Sequence, residues 1–131
     1  MKKSDISKWN ALLSKYKSKC KKISKISKSI RYVGIMNLHG KTLSGKINHG
    51  TKPLFSPNQV RKEFFAIASS IKLRKKSLSI IGQTNYIIYN HKKVIILLFH
   101  NNDIIYYITF GPKSIPNKSI IDKIRKISIE E

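Results

Sequence analysis

The chain has 131 residues, 40% of them hydrophobic, which suits one domain with a real core and excludes a disordered tail. Twenty-seven lysines and arginines stand against six acids, a formal charge of +21. A cation of that strength repels itself when compact and attracts polyanions, acidic proteins or an anionic membrane surface. No apolar run approaches the ~18–20 residues that a bilayer-spanning helix needs. The start, MKKSDISKWN, lacks the apolar segment of a secretory signal. The single cysteine, Cys20, rules out an internal disulfide and fits a reducing, cytoplasmic setting. The shortage of acids says more than the surplus of lysine. An AT-rich coding sequence raises lysine without removing carboxylates, yet only Asp5, Glu63, Asp103, Asp122, Glu130 and Glu131 occur.

In chain order, residues 5–27 read as a first helix capped by Ser4 or Asp5, whose side chains accept from free backbone amides. Ile6, Trp9, Leu13, Tyr16, Cys20 and Ile23 recur at three and four residues, an apolar stripe that docks on a sheet. Off the stripe, Lys8, Lys15, Lys19 and Lys22 form one cationic ridge, and Lys17, Lys21, Lys25 and Lys28 form another. No acid sits four residues on from them to form a helical ion pair. Residues 30–37, IRYVGIMN, are a first strand in which Gly34 permits close packing. A turn over residues 38–41 places Gly40 at positive φ, and residues 42–47 form a shorter, more polar edge strand.

Ser56-Pro57-Asn58-Gln59 is a helix start with serine as cap, proline at the first position and glutamine closing a capping box. The second helix runs to about Lys76, with Val60, Phe64, Ile67, Ala68 and Ile71 on one face. Its end carries Lys72, Arg74, Lys75 and Lys76, more positive charge than the helix dipole calls for. Strand three centres on residues 86–89, and the turn after it carries Lys92 and Lys93.

The stretch from Val94 to Phe110, VIILLFHNNDIIYYITF, organises everything else. Its segments 94–99 and 104–110 do not alternate apolar with polar, so both faces of each are covered. The polar break over residues 100–103 makes them a hairpin at the centre of the sheet. Gly111-Pro112 ends that strand. Residues 114–117 lead into a last helix with Ile120, Ile121, Ile124 and Ile127 inward. The expected fold is one α+β domain, 1–131, a five-stranded antiparallel sheet between helices in the order α-ββ-α-βββ-α. It divides into a basic N-terminal helix (1–28), the sheet with its long helix (30–110) and a C-terminal helix (114–131).

No phosphate loop, dinucleotide fingerprint or zinc-ligand spacing occurs. His39, His49, His91 and His100 all fall in expected turns or loops with few carboxylates to join them. Neither metal nor cofactor is expected, and Asp103 and Asp122 do not form an acid/base pair. Cys20 lies on the apolar stripe, as a core thiol does. These features point to a non-enzymatic protein. The charge points to nucleic acid, DNA or RNA, or a ribonucleoprotein as partner, held by its phosphates with little sequence preference. Only four cations are arginines, the residue that reads guanine edges. The fourteen cations named above, from Lys8 to Lys93, are the expected contacts. Tyr86, Tyr89, Tyr106 and Tyr107 read as core residues rather than as base-stacking ones.

The segment RYVGIMNLHGKTLSG, followed by KPL and a long helix, resembles a small archaeal family with a roadblock/longin-like fold. The similarity spans roughly residues 30–110. It implies homodimerisation through the second helix and an edge strand. It also implies service as a platform for small GTPases, as a regulator of them, or as a subunit of a larger assembly. It carries no active-site residues to place here.

Overall fold

A computed structural model describes residues 3–130; Met1, Lys2 and Glu131, the ends of the expected domain, lie outside the described residues. The elements are α1 (Lys3–Ser24), β1 (Ile30–Asn37), β2 (Thr42–Ile47), α2 (Pro57–Leu73), α3 (Lys75–Ile81), β3 (Ile87–Asn90), β4 (Ile95–Asn101), β5 (Ile104–Phe110) and α4 (Lys118–Ser128). The five strands form one sheet in the order β2-β1-β5-β4-β3, every neighbouring pair antiparallel. The order of elements matches the expected α-ββ-α-βββ-α, with the second helical segment broken in two.

The β4–β5 hairpin sits where its composition requires. Ile95, Leu97, Phe99, Tyr106, Ile108 and Phe110 face a core shared with Tyr16, Cys20 and Ile23 of α1 and with Ile121 and Ile124 of α4. Ile96, Leu98, Ile105 and Tyr107 face the other way, onto Phe64, Ile67 and Ala68 of α2. Successive strand residues point to opposite faces, so a strand apolar throughout needs a helix layer on each side, and both are present. The turn is shorter than the polar run suggested. His100 and Asn101 continue β4, leaving Asn102 and Asp103 as the turn, with Asn102 at φ 54°. Asparagine tolerates that left-handed conformation. His100 is thus a strand residue, not a loop one.

The local signal at the start of α2 holds. Ser56 Oγ accepts from Gln59 N at 3.3 Å, and Ser56 N donates to Gln59 Oε1 at 2.8 Å. This is the full capping box, with Pro57 at the first helical position. The lysine cluster does not end the helical run. Arg74 (φ −87°, ψ −1°) breaks it, α3 carries it on for seven residues, and Gly82 at φ 91° stops it. Helix α1 starts at Lys3, so Ser4 and Asp5 stand in its first turn rather than at its cap. There the Asp5 carboxylate suits the positive end of the helix dipole. The helix ends at Ser24, and Asn48 Nδ2 closes the following loop by donating to the carbonyls of Ser24 (3.1 Å) and Ile30 (2.7 Å).

A polar hub fastens one end of the sandwich. The Ser128 carbonyl, at the last turn of α4, accepts from Lys19 Nζ at 2.8 Å and from the Tyr106 hydroxyl at 3.2 Å. Ser128 Oγ donates to Arg125 O and accepts from Asn101 Nδ2. One residue therefore ties α1, α4 and both strands of the central hairpin, in a place where each buried group needs its partner. On the other face the Tyr107 hydroxyl donates to Glu63 Oε2 of α2 at 2.9 Å.

Gly34 lies under the Phe64 ring, where a Cβ would come within 2.8 Å of it. Gly40 is tighter: its φ is 81°, and a Cβ would meet the Phe65 backbone at 2.8 Å. Gly50 has nearly the same φ, 80°, with nothing within 4 Å. Gly40→Ala should therefore cost roughly 2–4 kcal/mol and Gly50→Ala about 1 kcal/mol, measured by chemical denaturation. Equal costs would mean that the β1–β2 turn does not press on α2.

Burial raises the Tyr32 phenol to about 12, and raises those of Tyr106 and Tyr107 further. Burial raises the Cys20 thiol as well. All four groups ionise less readily folded than unfolded. Their contribution is complete below the unfolded values and is lost as pH rises through the folded ones. Lysine deprotonation meanwhile relieves self-repulsion, so stability should hold or rise up to about pH 10 and fall above it. In a base titration the phenolate absorbance of the buried tyrosines should appear together with loss of the far-ultraviolet signal. Their ionisation ahead of unfolding would contradict this burial.

Candidate functional site

Helix α2 turns Phe64, Ile67 and Ala68 into the core because they recur at helical spacing against Met36, Leu98 and Ile105. The same segment and its continuation leave large apolar side chains on the outside. Phe65 is 65% exposed, Leu73 85%, Ile80 86% and Ile81 67%. Single exposed apolar residues are ordinary, but Leu73, Ile80 and Ile81 fall together around the α2–α3 break, while Phe65 lies apart, against Gly40 of the β1–β2 turn. Leu78 alone of the α3 residues is buried. Where α2 gives way to α3, a groove opens toward the sheet edge, lined by Leu73, Leu78, Ile87, Tyr89, Leu98 and His100 among others.

Strand β3 bounds this groove. It pairs with β4 in the register Ile87↔Leu98 to Asn90↔Ile95 and stands last in the sheet, so its outer backbone groups have no ladder partner. An open strand edge beside exposed apolar helix residues is a template for adding another chain. Lys72, Arg74, Lys75 and Lys76 surround the patch, all exposed. Lys72 Nζ lies 3.2 Å from His39 Nδ1, tying the cluster to the β1–β2 turn. A second, smaller cleft lies by the start of α2, between Tyr32, Ile47, Leu54, Phe55 and Phe64, with Arg31 and Lys52 beside it.

The expected cationic contacts do not come together. Lys8, Lys15, Lys17, Lys21, Lys25 and Lys28 are exposed along α1 and the loop after it. Lys19, in the same ridge, is only 7% exposed and is bound to the Ser128 carbonyl; burial first, then Lys15 beside it, lower its pKa. Lys22 pairs with Glu130 at 3.2 Å. The first ridge is thus interrupted by structural roles. Lys72, Arg74, Lys75 and Lys76 lie with α2 and α3, whose core is on the opposite sheet face from that of α1. Lys92 and Lys93 sit in the β3–β4 turn, at the Phe110 end of the sheet, away from the Asn101–Ile104 end near Lys72. Three groups on two faces and at two ends make no continuous phosphate track.

The tyrosines also serve the core. Tyr106 and Tyr107 are 1% exposed, and Tyr106 stacks on Phe99 at 5.0 Å. Tyr89 is half-buried and only Tyr86 is exposed, at 43%. Cys20 is buried with Sγ 3.8 Å from the Val33 carbonyl. Among the described residues no helix is long and apolar enough to cross a membrane, and no three His, Cys, Asp or Glu side chains gather as metal ligands.

Sequence reasoning missed the α2–α3 patch. Leu73, Ile80 and Ile81 were hidden by the assumption that the lysine cluster ended the helix. The signal was Gly82, a helix stop nearly two turns further on.

No family model and no curated protein matches the sequence. Solved structures do. The gliding protein MglB from Thermus thermophilus superposes with a TM-score of 0.72 at 9% identity, covering 89% of this chain and 85% of that one. MglB with tetrameric arrangement gives 0.66 at 12% identity, covering 83% and 78%. A Roadblock/LC7 domain from Streptomyces avermitilis gives 0.66 at 5%, covering 85% and 89%. These likenesses correct the expectation of a DNA-, RNA- or ribonucleoprotein-binding protein. The matching structures are MglB and roadblock proteins, not nucleic-acid binders, and the dispersed cations give the physical reason. The five-stranded antiparallel sheet between two helix layers, with α2 on one face and α1 and α4 on the other, is the roadblock/LC7 fold.

Proposed function

We propose that the chain is a single, non-enzymatic roadblock-type module that acts by binding proteins through the α2–α3 face and the β3 edge. One observation carries this reading. Leu73, Ile80 and Ile81 are largely exposed where α2 gives way to α3, at the groove bounded by β3, a strand with an open edge. A second copy is the first occupant. Two such faces meeting about a two-fold axis would cover the apolar residues and join the sheets through β3. Small GTPases, the partner class that the roadblock resemblance implies, are the second. The cations around the patch select for a partner with an acidic face and speed its encounter.

Charge separates the two associations. Each copy carries +21, so self-association works against repulsion and should strengthen with salt. Binding of an acidic partner should weaken. Sedimentation of the pure protein at low micromolar concentration should show dimer gaining on monomer as salt rises to about 0.5 M, where screening reaches only a few ångströms. Leu73→Ser combined with Ile80→Ser should weaken the dimer by at least about tenfold while leaving the melting temperature within a few degrees, since both side chains face water. A monomer at every salt concentration would remove the homodimer from this reading. A dimer indifferent to the double substitution would place the contact elsewhere.

A further inference from the structure

The apolar stripe of α1 is only half used. Tyr16, Cys20 and Ile23 are buried under the sheet, but Ile6 is 46% exposed and Trp9 40%, and Leu12 on the flank of the stripe is 37% exposed. Length contributes: a 22-residue helix runs about 33 Å, whereas the eight residues of β1 beneath it span about 26 Å. The helix outruns the strand by little more than one turn, and its N-terminal half leaves Ile6, Trp9 and Leu12 partly in solvent.

We infer that this overhang inserts into the surface of an anionic phospholipid bilayer. Around the exposed strip the charge is almost wholly positive. Lys8 and Lys15 lie on α1, and Lys41 of the β1–β2 turn holds its Nζ 5.9 Å from the centre of the Trp9 ring. Asp5 is the one acid on the helix. A helix with tryptophan and aliphatic residues on one side and lysines on the other is built to lie in the headgroup layer. A folded protein fits this strip less well. Three half-exposed side chains offer far less than the ~800 Å² per partner of a stable protein interface. A membrane demands no matching shape and draws in addition on each nearby lysine, at about fivefold in affinity per cation. The overhang belongs to the sheet face opposite α2, so this surface shares no residue with the protein-binding face proposed above.

Trp9 is the chain's only tryptophan and reports its own position. The full chain is titrated with vesicles of phosphatidylcholine containing about one-third phosphatidylglycerol, and with phosphatidylcholine alone. Trp9 emission should shift to the blue and be quenched by brominated acyl chains with the anionic vesicles only. High salt should reverse both changes. Ile6→Ser with Leu12→Ser should weaken binding by at least about tenfold, through lost apolar contact. Lys8→Gln with Lys15→Gln should do so by a similar factor. Both pairs are exposed, so thermal melting should match the parent, and the wild-type quenching alone decides if a variant misfolds. No shift with anionic vesicles overturns the inference. So does a shift that follows protein concentration in the absence of lipid, since a second copy would then cover the strip. So does acyl-chain quenching that survives all four substitutions, which would place insertion elsewhere.

Discussion

Two strands that are apolar on both faces can exist in water only between two layers of something else. Fully burying a leucine or isoleucine is worth about 1.5–3 kcal/mol, and β4 and β5 place such residues on each side of the sheet. Leaving either face open would forfeit several of those contributions at once. The helices follow from this. Tyr16, Cys20 and Ile23 of α1 and Ile121 and Ile124 of α4 close one side, and Phe64, Ile67 and Ala68 of α2 close the other. Gly34 follows as well, because the Phe64 ring lies where a Cβ on β1 would stand.

The charge has to be accommodated around that sandwich, and its placement shows how. Most lysines keep their ammonium groups in water, where each costs little. Lys19 is the exception: its head is buried and bonded to the Ser128 carbonyl at the negative end of α4. Desolvation and Lys15 both work against that ammonium. The carbonyl dipole of a helix end offsets part of the cost. Ser128 is shared with Tyr106 and Asn101, so the same contact fixes where α4 stops and how it sits on the hairpin. A residue counted in the sequence as part of a polyanion-binding ridge is instead a fastening between two helices.

Short-range features were legible. The capping box needs only Ser56 and Gln59 three residues apart. The edge position of β2 showed in its polar composition, and the doubly covered hairpin showed in a run without alternation. What failed to show depends on distant parts of the chain or on absolute lengths. No window contains both Lys22 and Glu130, which lie 108 residues apart yet pair. Periodicity revealed the stripe on α1 but not how far the sheet beneath it extends, so the split between docked and overhanging halves was invisible. The patch at Leu73, Ile80 and Ile81 was lost for a related reason. Lysines near a helix end and lysines near a break inside a helical run look alike until the backbone at Arg74 is seen.

The roadblock fold and the charge then constrain each other. The self-association proposed through α2 and β3 would bring two strongly positive bodies together, with Lys72, Arg74, Lys75 and Lys76 near the contact. Apolar burial there has to exceed a repulsion that depends on ionic strength, which makes the strength of the contact adjustable. An acidic partner or an anionic surface relieves the same repulsion by neutralising lysines. If both proposed associations occur, they would be coupled through the field, without any change of conformation. An anion on the α1 side would then lower the cost of bringing two α2–α3 faces together.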